Sequence, residues 1–272
     1  MFAQICGISI FHESLGRGLP LFCLHGSGVD HRSIKSGMES VLNGLSGIQR
    51  IYFDLPGMGQ SQTHPQILSS DDMLEIVLQF IDEMIGPDQP FVLAGYSYGG
   101  YLARGVVAEM PRRVKGMMLL CPVINLSRHA RHLPRFKCCE RDQEFVDGLT
   151  DEQFSLMDQF VTIQTPDVWD NYLSHIHPAL SLADPGLMKR IRDSGFSRNV
   201  DDPRLPVYDG PVLVLTGRYD VTVGYEDVWK IYPRFSNGEF VVLDRAGHLL
   251  HMEAPELFQT HVRNWMQRVV AD

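Results

Sequence analysis

Residues 90–100 read Pro-Phe-Val-Leu-Ala-Gly-Tyr-Ser-Tyr-Gly-Gly, an apolar run of strand length that ends in Gly-x-Ser-x-Gly. A small-residue stretch of helical character follows, through Ala103 to Met110, and Pro111 stops it. A strand that turns at once into a helix holds the turn residue, Ser97, in a strained backbone conformation. The flanking glycines let strand and helix pass close without Cβ clashes. That geometry lifts the Ser97 hydroxyl clear of a sheet and beside a helix N-terminus, where free N–H groups favour negative charge. It is a position suited to a nucleophile.

The rest of the chain supplies a sheet for that turn. Residues 2–13 read as two short strands with Gly7 between them, and Gly16-Arg17-Gly18 is a turn. Leu19–Leu24 and Gln49–Phe53 are apolar strands that end in His25-Gly26-Ser27-Gly28 and Asp54-Leu55-Pro56-Gly57-Met58-Gly59-Gln60-Ser61. Between them Ile34–Leu42 has weak helical periodicity. Asp71–Ile85 carries Met73, Leu74, Val77, Leu78, Ile81 and Ile85 at helical spacing, and Gly86-Pro87 closes it. Val114–Val123 is another apolar strand, and Val212–Thr216 and Glu239–Leu243 resume the pattern. The C-terminal stretch Pro255–Val270 repeats Leu257, Phe258, Val262 and Trp265 at helical spacing. Continuous apolar strands alternating with helices predict an α/β fold with a mostly parallel sheet covered by helices on both faces.

The alternation breaks after about Ile124. Residues 124–208 hold no convincing buried strand and read as helical around 140–149, 151–163, 166–183 and 185–194, with prolines at 134, 166, 178, 185, 203 and 206. The simplest account is a discontinuous core, 1–123 and 209–272, interrupted by an inserted helical cap over 124–208. An independent second domain would split the sheet.

A serine nucleophile needs a base, and the base needs an orienting acid. The strand Val212–Thr216 ends in Gly217-Arg218-Tyr219-Asp220, and Phe240–Leu243 ends in Asp244-Arg245-Ala246-Gly247-His248. Loops at the C-terminal ends of parallel strands bring Asp220 and His248 to the edge that carries Ser97. Four segments in order therefore carry a resemblance: His25-Gly26-Ser27-Gly28, Asp54-x-Pro-Gly-x-Gly-x-Ser61, Gly95-Tyr96-Ser97-Tyr98-Gly99-Gly100, and the pair Asp220 and Ala246-Gly247-His248. The chain resembles the α/β-hydrolase fold superfamily, in its cap-bearing serine hydrolase branch of small esterases and lactonases. The resemblance implies catalytic Ser97 as nucleophile, His248 as base and then acid, and Asp220 as orienter. It also implies an oxyanion hole made by the backbone N–H groups of Ser27 and Tyr98.

The other side chains of interest have plainer readings. Asp244 is near His248 but too close in sequence to reach around the imidazole. His25 is read as structural, and Asp54 as the organiser of its own glycine-rich turn. The Gly57–Gly59 run is no phosphate cradle, because no Lys-Ser/Thr follows it. His175-x-His177 and Cys138-Cys139 lack metal-site spacing. The basic run Arg128, Arg131, Arg135 and Lys137 is read as a solvated face, against the sharper idea that it attracts an anionic substrate. Phe154, Met157, Phe160, Trp169, Tyr172 and Leu173 are read first as packing residues and second as a pocket wall.

Composition narrows the class further. A net charge of −9 argues against a nucleic-acid binder, and 44% hydrophobic residues in 272 suffice for one large core. No stretch is apolar enough for a membrane span, and the N-terminus lacks a signal-peptide pattern. Five cysteines without a framework predict reduced thiols and a cytoplasmic location. No cofactor and no metal is implied; the expected partner is a small ester-like substrate, and the oligomeric state is left unassigned. The leading expectation is hydrolysis of a small ester, thioester or lactone through a Ser97 acyl-enzyme. The alternatives are a carbon–carbon bond hydrolase of vinylogous diketones, whose usual Asn before the nucleophile is Tyr96 here, and a non-enzymatic ligand-binding member of the fold.

Overall fold

The structure, a computed structural model, describes residues 1–197, 199–201 and 207–271. Pro203 and Pro206 of the expected insertion, and the terminal Asp272, lie outside the described residues. In chain order the first half runs β1 (Phe2–Ile5), β2 (Ile8–Leu15), β3 (Gly18–Leu24), α1 (Arg32–Leu42), β4 (Gly47–Phe53), α2 (Ser70–Ile85), β5 (Phe91–Tyr96), α3 (Tyr98–Glu109) and β6 (Val114–Leu120). The middle holds β7 (Glu140–Arg141), α4 (Gln143–Asp147), α5 (Asp151–Met157), β8 (Ile163–Gln164), α6 (Pro166–His175), α7 (His177–Leu180) and α8 (Pro185–Asp193). The chain then returns through β9 (Val212–Gly217), α9 (Glu226–Ile231), β10 (Gly238–Leu243), α10 (Leu250–Glu253) and α11 (Pro255–Ala271).

Eight strands form one sheet in the order β1-β2-β4-β3-β5-β6-β9-β10. The β1·β2 and β2·β4 pairs are antiparallel and the other five are parallel. Leu21–Leu24, Phe91–Ala94, Met117–Leu120 and Val212–Leu215 are all fully buried. Successive side chains of a strand point to opposite faces, so both faces of the central strands are covered, as the unbroken apolar runs predict. Helix α1 packs on α11, and α2 packs on α3.

Local chemistry sets the element ends. Helix α2 starts one residue earlier than its apolar spacing suggests, because Ser69 and Asp72 form a capping box, and Gly86 at φ 81° ends it. The expected helix over 166–183 is two. Ile176 caps α6, and Pro178 in the first turn of α7 has no N–H to continue the ladder.

The stretch between β6 and β9 has an apolar cluster of its own, which includes Val146, Met157, Ile163, Trp169 and Tyr172 and is joined by Leu249 and Met252 from the core side. One expectation is corrected here. A buried strand does occur in this stretch: Ile163–Gln164 pairs in parallel with Glu140–Arg141. Two residues carry no periodicity, so no pattern announced them.

Candidate active site

Ser97 follows β5 directly and opens α3, with φ 55° and ψ −116°. Such a conformation persists only where the surroundings over-determine it. Here the Ser97 N–H donates to Leu120 O (2.9 Å), and Ser97 O accepts from Gly100 N and Val123 N (3.0 Å each). Both peptide faces are thus tied to neighbouring elements. The glycines do what the motif predicts. A Cβ on Gly99 would run into the Leu24 carbonyl, and one on Gly95 would lie 2.7 Å from the Gly100 backbone.

Asp220 follows β9 and is fully buried. Its Oδ1 accepts from Thr222 N (2.9 Å) and Val223 N (3.0 Å), which leaves Oδ2 for His248 Nδ1 at 2.8 Å. His248 follows β10 and is held from two sides. Tyr96 Oη donates to His248 O (3.1 Å), and the two rings lie 5.1 Å apart at 31°. The imidazole therefore packs on the residue immediately before Ser97. Among the described residues no hydrogen bond joins Ser97 Oγ to His248. Catalytic contacts of this kind often tighten only with substrate bound. Asp244, the rejected alternative, is exposed and pairs with Arg218 at 3.3 Å.

Ser27 and Tyr98 line one cavity of about 210 Å³ with Val123, Met188, Ile191 and two cations, Arg131 and Arg192. Tyr98 is the first residue of α3, so its N–H has no acceptor within the helix. Gly26 packs on Ser97, since a Cβ there would lie 3.6 Å from Ser97 Oγ. A larger cavity of about 460 Å³ lies at the other end of α3, lined by Arg104, Pro111 and Tyr208 among others, and touches none of these residues.

The loop behind the cavity is built from buried polar groups. His25 accepts from Leu55 N at Nε2 (2.8 Å), so Nδ1 carries the proton and donates to Gly26 O (2.7 Å). Burial holds its pKa below the ordinary value, which fits a neutral structural histidine. Asp54 accepts from His31 N, His31 Nδ1 and Gln60 N and so fixes its own turn.

Two triplets among the described residues have donor atoms close enough for a metal ion: Asp30, His31 and Asp54, and Cys121, Asp220 and His248. In each the donors already serve one another or nearby backbone groups. Arg32 pairs with Asp30, His31 with Asp54, and His248 with Asp220. His175 ends α6 while His177 begins α7, so they do not share a helix.

Three of the four cations in the basic run are ties. Arg131 donates to the carbonyls of Asn125, Leu126 and Thr222, Arg128 to Val221 O, and Lys137 to Tyr219 Oη. His132 and Lys230 share the Asp227 carboxylate, whose pKa falls to about 2 because these pairs and the His132 N–H outweigh the raising effect of burial. These contacts clamp residues 125–137 onto the loop that carries Asp220. The sequence reading missed them because most of the acceptors are backbone carbonyls. It also missed Tyr96, Cys121 and Glu253, which surround the Asp220–His248 pair.

A parallel sheet with a strained serine between a central strand and its helix, and a buried Asp–His pair on the loops after β9 and β10, defines the α/β-hydrolase class of fold. A sequence model described as the Alpha/beta hydrolase family matches residues 21–259, and the chain belongs to that family. The chain is 25% identical over 256 residues to abhydrolase domain-containing protein abhd-5.2 of Caenorhabditis elegans, covering 91% of this chain but only 49% of that protein. It is 32% identical over 261 residues to monoglyceride lipase of Mus musculus, covering 92% of this chain and 83% of the lipase. An alpha/beta superfamily hydrolase from Oenococcus oeni PSU-1 superposes with a TM-score of 0.87 at 28% identity over 99% of both chains. No helix among the described residues is long and apolar enough to cross a membrane.

Proposed function

We propose that this chain is a serine hydrolase that cleaves a small ester, thioester or lactone through an acyl-enzyme. One observation carries the reading: the fully buried Asp220 carboxylate holds His248 at 2.8 Å, and His248 packs on the residue beside the strained Ser97. In this reading His248 Nε2 accepts the Ser97 proton as Oγ attacks the carbonyl carbon. Asp220 fixes the proton on Nδ1 and stabilises the imidazolium that forms. The N–H groups of Ser27 and Tyr98 receive the developing oxyanion. Collapse of the tetrahedral intermediate expels the alcohol, thiol or lactone oxygen, which takes the proton from His248. Water, activated by the same histidine, then releases the acid.

Residues 124–208 act as the cap, since Met188 and Ile191 of α8 wall the cavity beside Ser27 and Tyr98. About 210 Å³ lies below the usual range of roughly 300–1,000 Å³ for ligand pockets, which favours a short acyl group. Arg131, the member of the basic run that lines the cavity, already gives its three nitrogens to backbone carbonyls, so in this reading the run gives no preference for anionic substrates. Carboxylate-bearing and neutral esters are therefore expected to show the same ratio of kcat/KM at low and high salt. A ratio that collapses with salt contradicts this.

The direct test is reaction with a fluorophosphonate probe read by intact mass, beside Ser97→Ala. A single adduct that disappears in Ser97→Ala is the expected result. An adduct that persists in the variant, or none in folded wild-type protein, overturns the reading.

A further inference from the structure

The strongest group left unused by this mechanism is a buried carboxylate five residues beyond His248. Glu253 is 8% exposed, at the end of α10 after the buried run Leu249-Leu250-His251-Met252. Its Oε2 accepts from Gly247 N (2.5 Å), the residue immediately before His248, and its Oε1 accepts from Thr162 N (2.6 Å), which lies between α5 and β8. One carboxylate thus ties the loop that carries His248 to the stretch inserted between β6 and β9. The packing around it is close. A Cβ on Gly247 would fall 2.5 Å from Thr162 Oγ1 and 3.4 Å from Glu253 Oε2, so Gly247 is small because these two groups meet over it. Thr162 is fully buried as well.

We propose that Glu253 is a positioning residue for His248, holding the Gly247 peptide and the Thr162 peptide in register as a charged double acceptor. The proposal rests on the reading of Ser97 and His248 given above. A loop of four residues, 244–247, joins β10 to His248, and Arg245 within it has φ 63°. Without Glu253 the hold on its backbone comes from Tyr219 N donating to Ala246 O (2.9 Å), the Cys121 thiol against Gly247 O (3.7 Å) and Tyr96 Oη on His248 O. Two exposed ion pairs hold side chains of the loop, Arg218 on Asp244 and Glu140 on Arg245. Of the contacts to its backbone among the described residues, the Glu253 carboxylate is the one that brings a charge, and charge-assisted hydrogen bonds are the shorter and stronger kind.

The charge is also titratable in a useful range. Burial, with help from the Asp220 carboxylate, raises the Glu253 pKa to about 7 against the lowering effect of the backbone N–H groups. Tyr96 on β5 and Cys121 after β6 also feel Glu253, and both are themselves pushed well up by burial, so they stay neutral. His251 on the same helix is held near 4 by burial and is neutral as well. Asp220 is therefore the charged neighbour that matters. Above neutrality Glu253 carries charge and grips both peptides. As pH falls through about 7 it takes a proton, and the two charge-assisted bonds become ordinary ones.

Glu253→Gln copies the protonated state in shape and charge, and its amide offers only one oxygen to two N–H donors. At pH 8 it is expected to lower kcat about tenfold with KM within twofold. Below about pH 6 its kcat is expected to converge with that of wild type, whose Glu253 is then neutral. Profiles that are identical, or that run parallel over the whole range, overturn the proposal, because a merely structural residue lowers activity at every pH. If Glu253→Gln does not fold, hydrogen exchange of the wild-type protein decides. After correction for intrinsic rates, protection of the peptides containing Gly247 and Thr162 is expected to fall together between pH 8 and 6. Unchanged protection overturns the proposal. Fluorophosphonate labelling of wild-type Ser97 keeps the two claims apart: no labelling removes the hydrolase reading, whereas labelling with parallel profiles removes only the role of Glu253.

Discussion

Asp220→Asn is expected to fold normally and to lose about 10⁴-fold in kcat and in the rate of fluorophosphonate labelling. The size follows from which oxygen does what. Oδ1 faces two backbone donors, Thr222 N and Val223 N, so an asparagine must keep its carbonyl oxygen there. Its NH₂ group then takes the place of Oδ2 and points a donor at His248 Nδ1. The imidazole answers by moving its proton to Nε2, the nitrogen that accepts from Ser97 in the proposed mechanism. Geometry survives and the tautomer is wrong. The loop survives too, because its two backbone bonds are kept, and a melting temperature close to wild type is the accompanying expectation. A variant within tenfold of wild type shows that Asp220 does not set the tautomer.

The largest structural effect is expected from Gly99→Ala. Gly99 lies where α3 crosses the end of β3, and a Cβ there would strike Leu24 O and come within 2.7 Å of His25 O. Both obstacles are backbone, so no rotamer relieves the clash. The strand and the helix must move apart, and both are fully buried at that point. A cost above about 3 kcal/mol is expected, at the upper end of overpacking penalties, which lowers the melting temperature by roughly 10 °C or abolishes soluble expression. Gly148→Ala is the control, since the nearest atom to a Cβ there is Phe145 O at 3.3 Å and its backbone has an ordinary negative φ of −85°. It is expected to stay within about 1 kcal/mol of wild type. Equal melting of the two variants refutes the close-crossing argument.

Much of this architecture is legible in the sequence, for a physical reason. Central strands buried on both faces must be apolar throughout, so β3, β5, β6 and β9 announce themselves as runs. Ser97, Asp220 and His248 are then the candidates read from the loops past the ends of such runs, although Arg218, Asp244 and Arg245 come earlier in two of those loops. What the sequence hides depends on tertiary partners. Arg131 looks like surface charge until the carbonyls of Asn125, Leu126 and Thr222 are seen around it. Glu253 is a lone acid after a mostly apolar run, which is a signal, but nothing in the chain names Gly247 and Thr162 as its donors. Tyr96 reads as a strand residue, and its hold on His248 depends on β5 and the loop after β10 meeting in space. The short strand at Ile163–Gln164 is set by its pairing with Glu140–Arg141, whereas the break at Ile176 follows from Pro178, which the sequence does show.

The sheet order has a kinetic side. Strand β6 pairs with β9, and Met117 opposite Val212 closes a span of about 95 residues. Loop closure of that length costs roughly 4 kcal/mol before the pairing returns anything. The strands up to β6 pair over shorter spans, so they are expected to assemble first, with β9, β10 and α11 docking late. Ser97 belongs to the early part, and Asp220 and His248 to the late one. During refolding, helix signal and serine reactivity should therefore recover at different times, with the chemistry appearing only when the last two strands have found the edge of the first six.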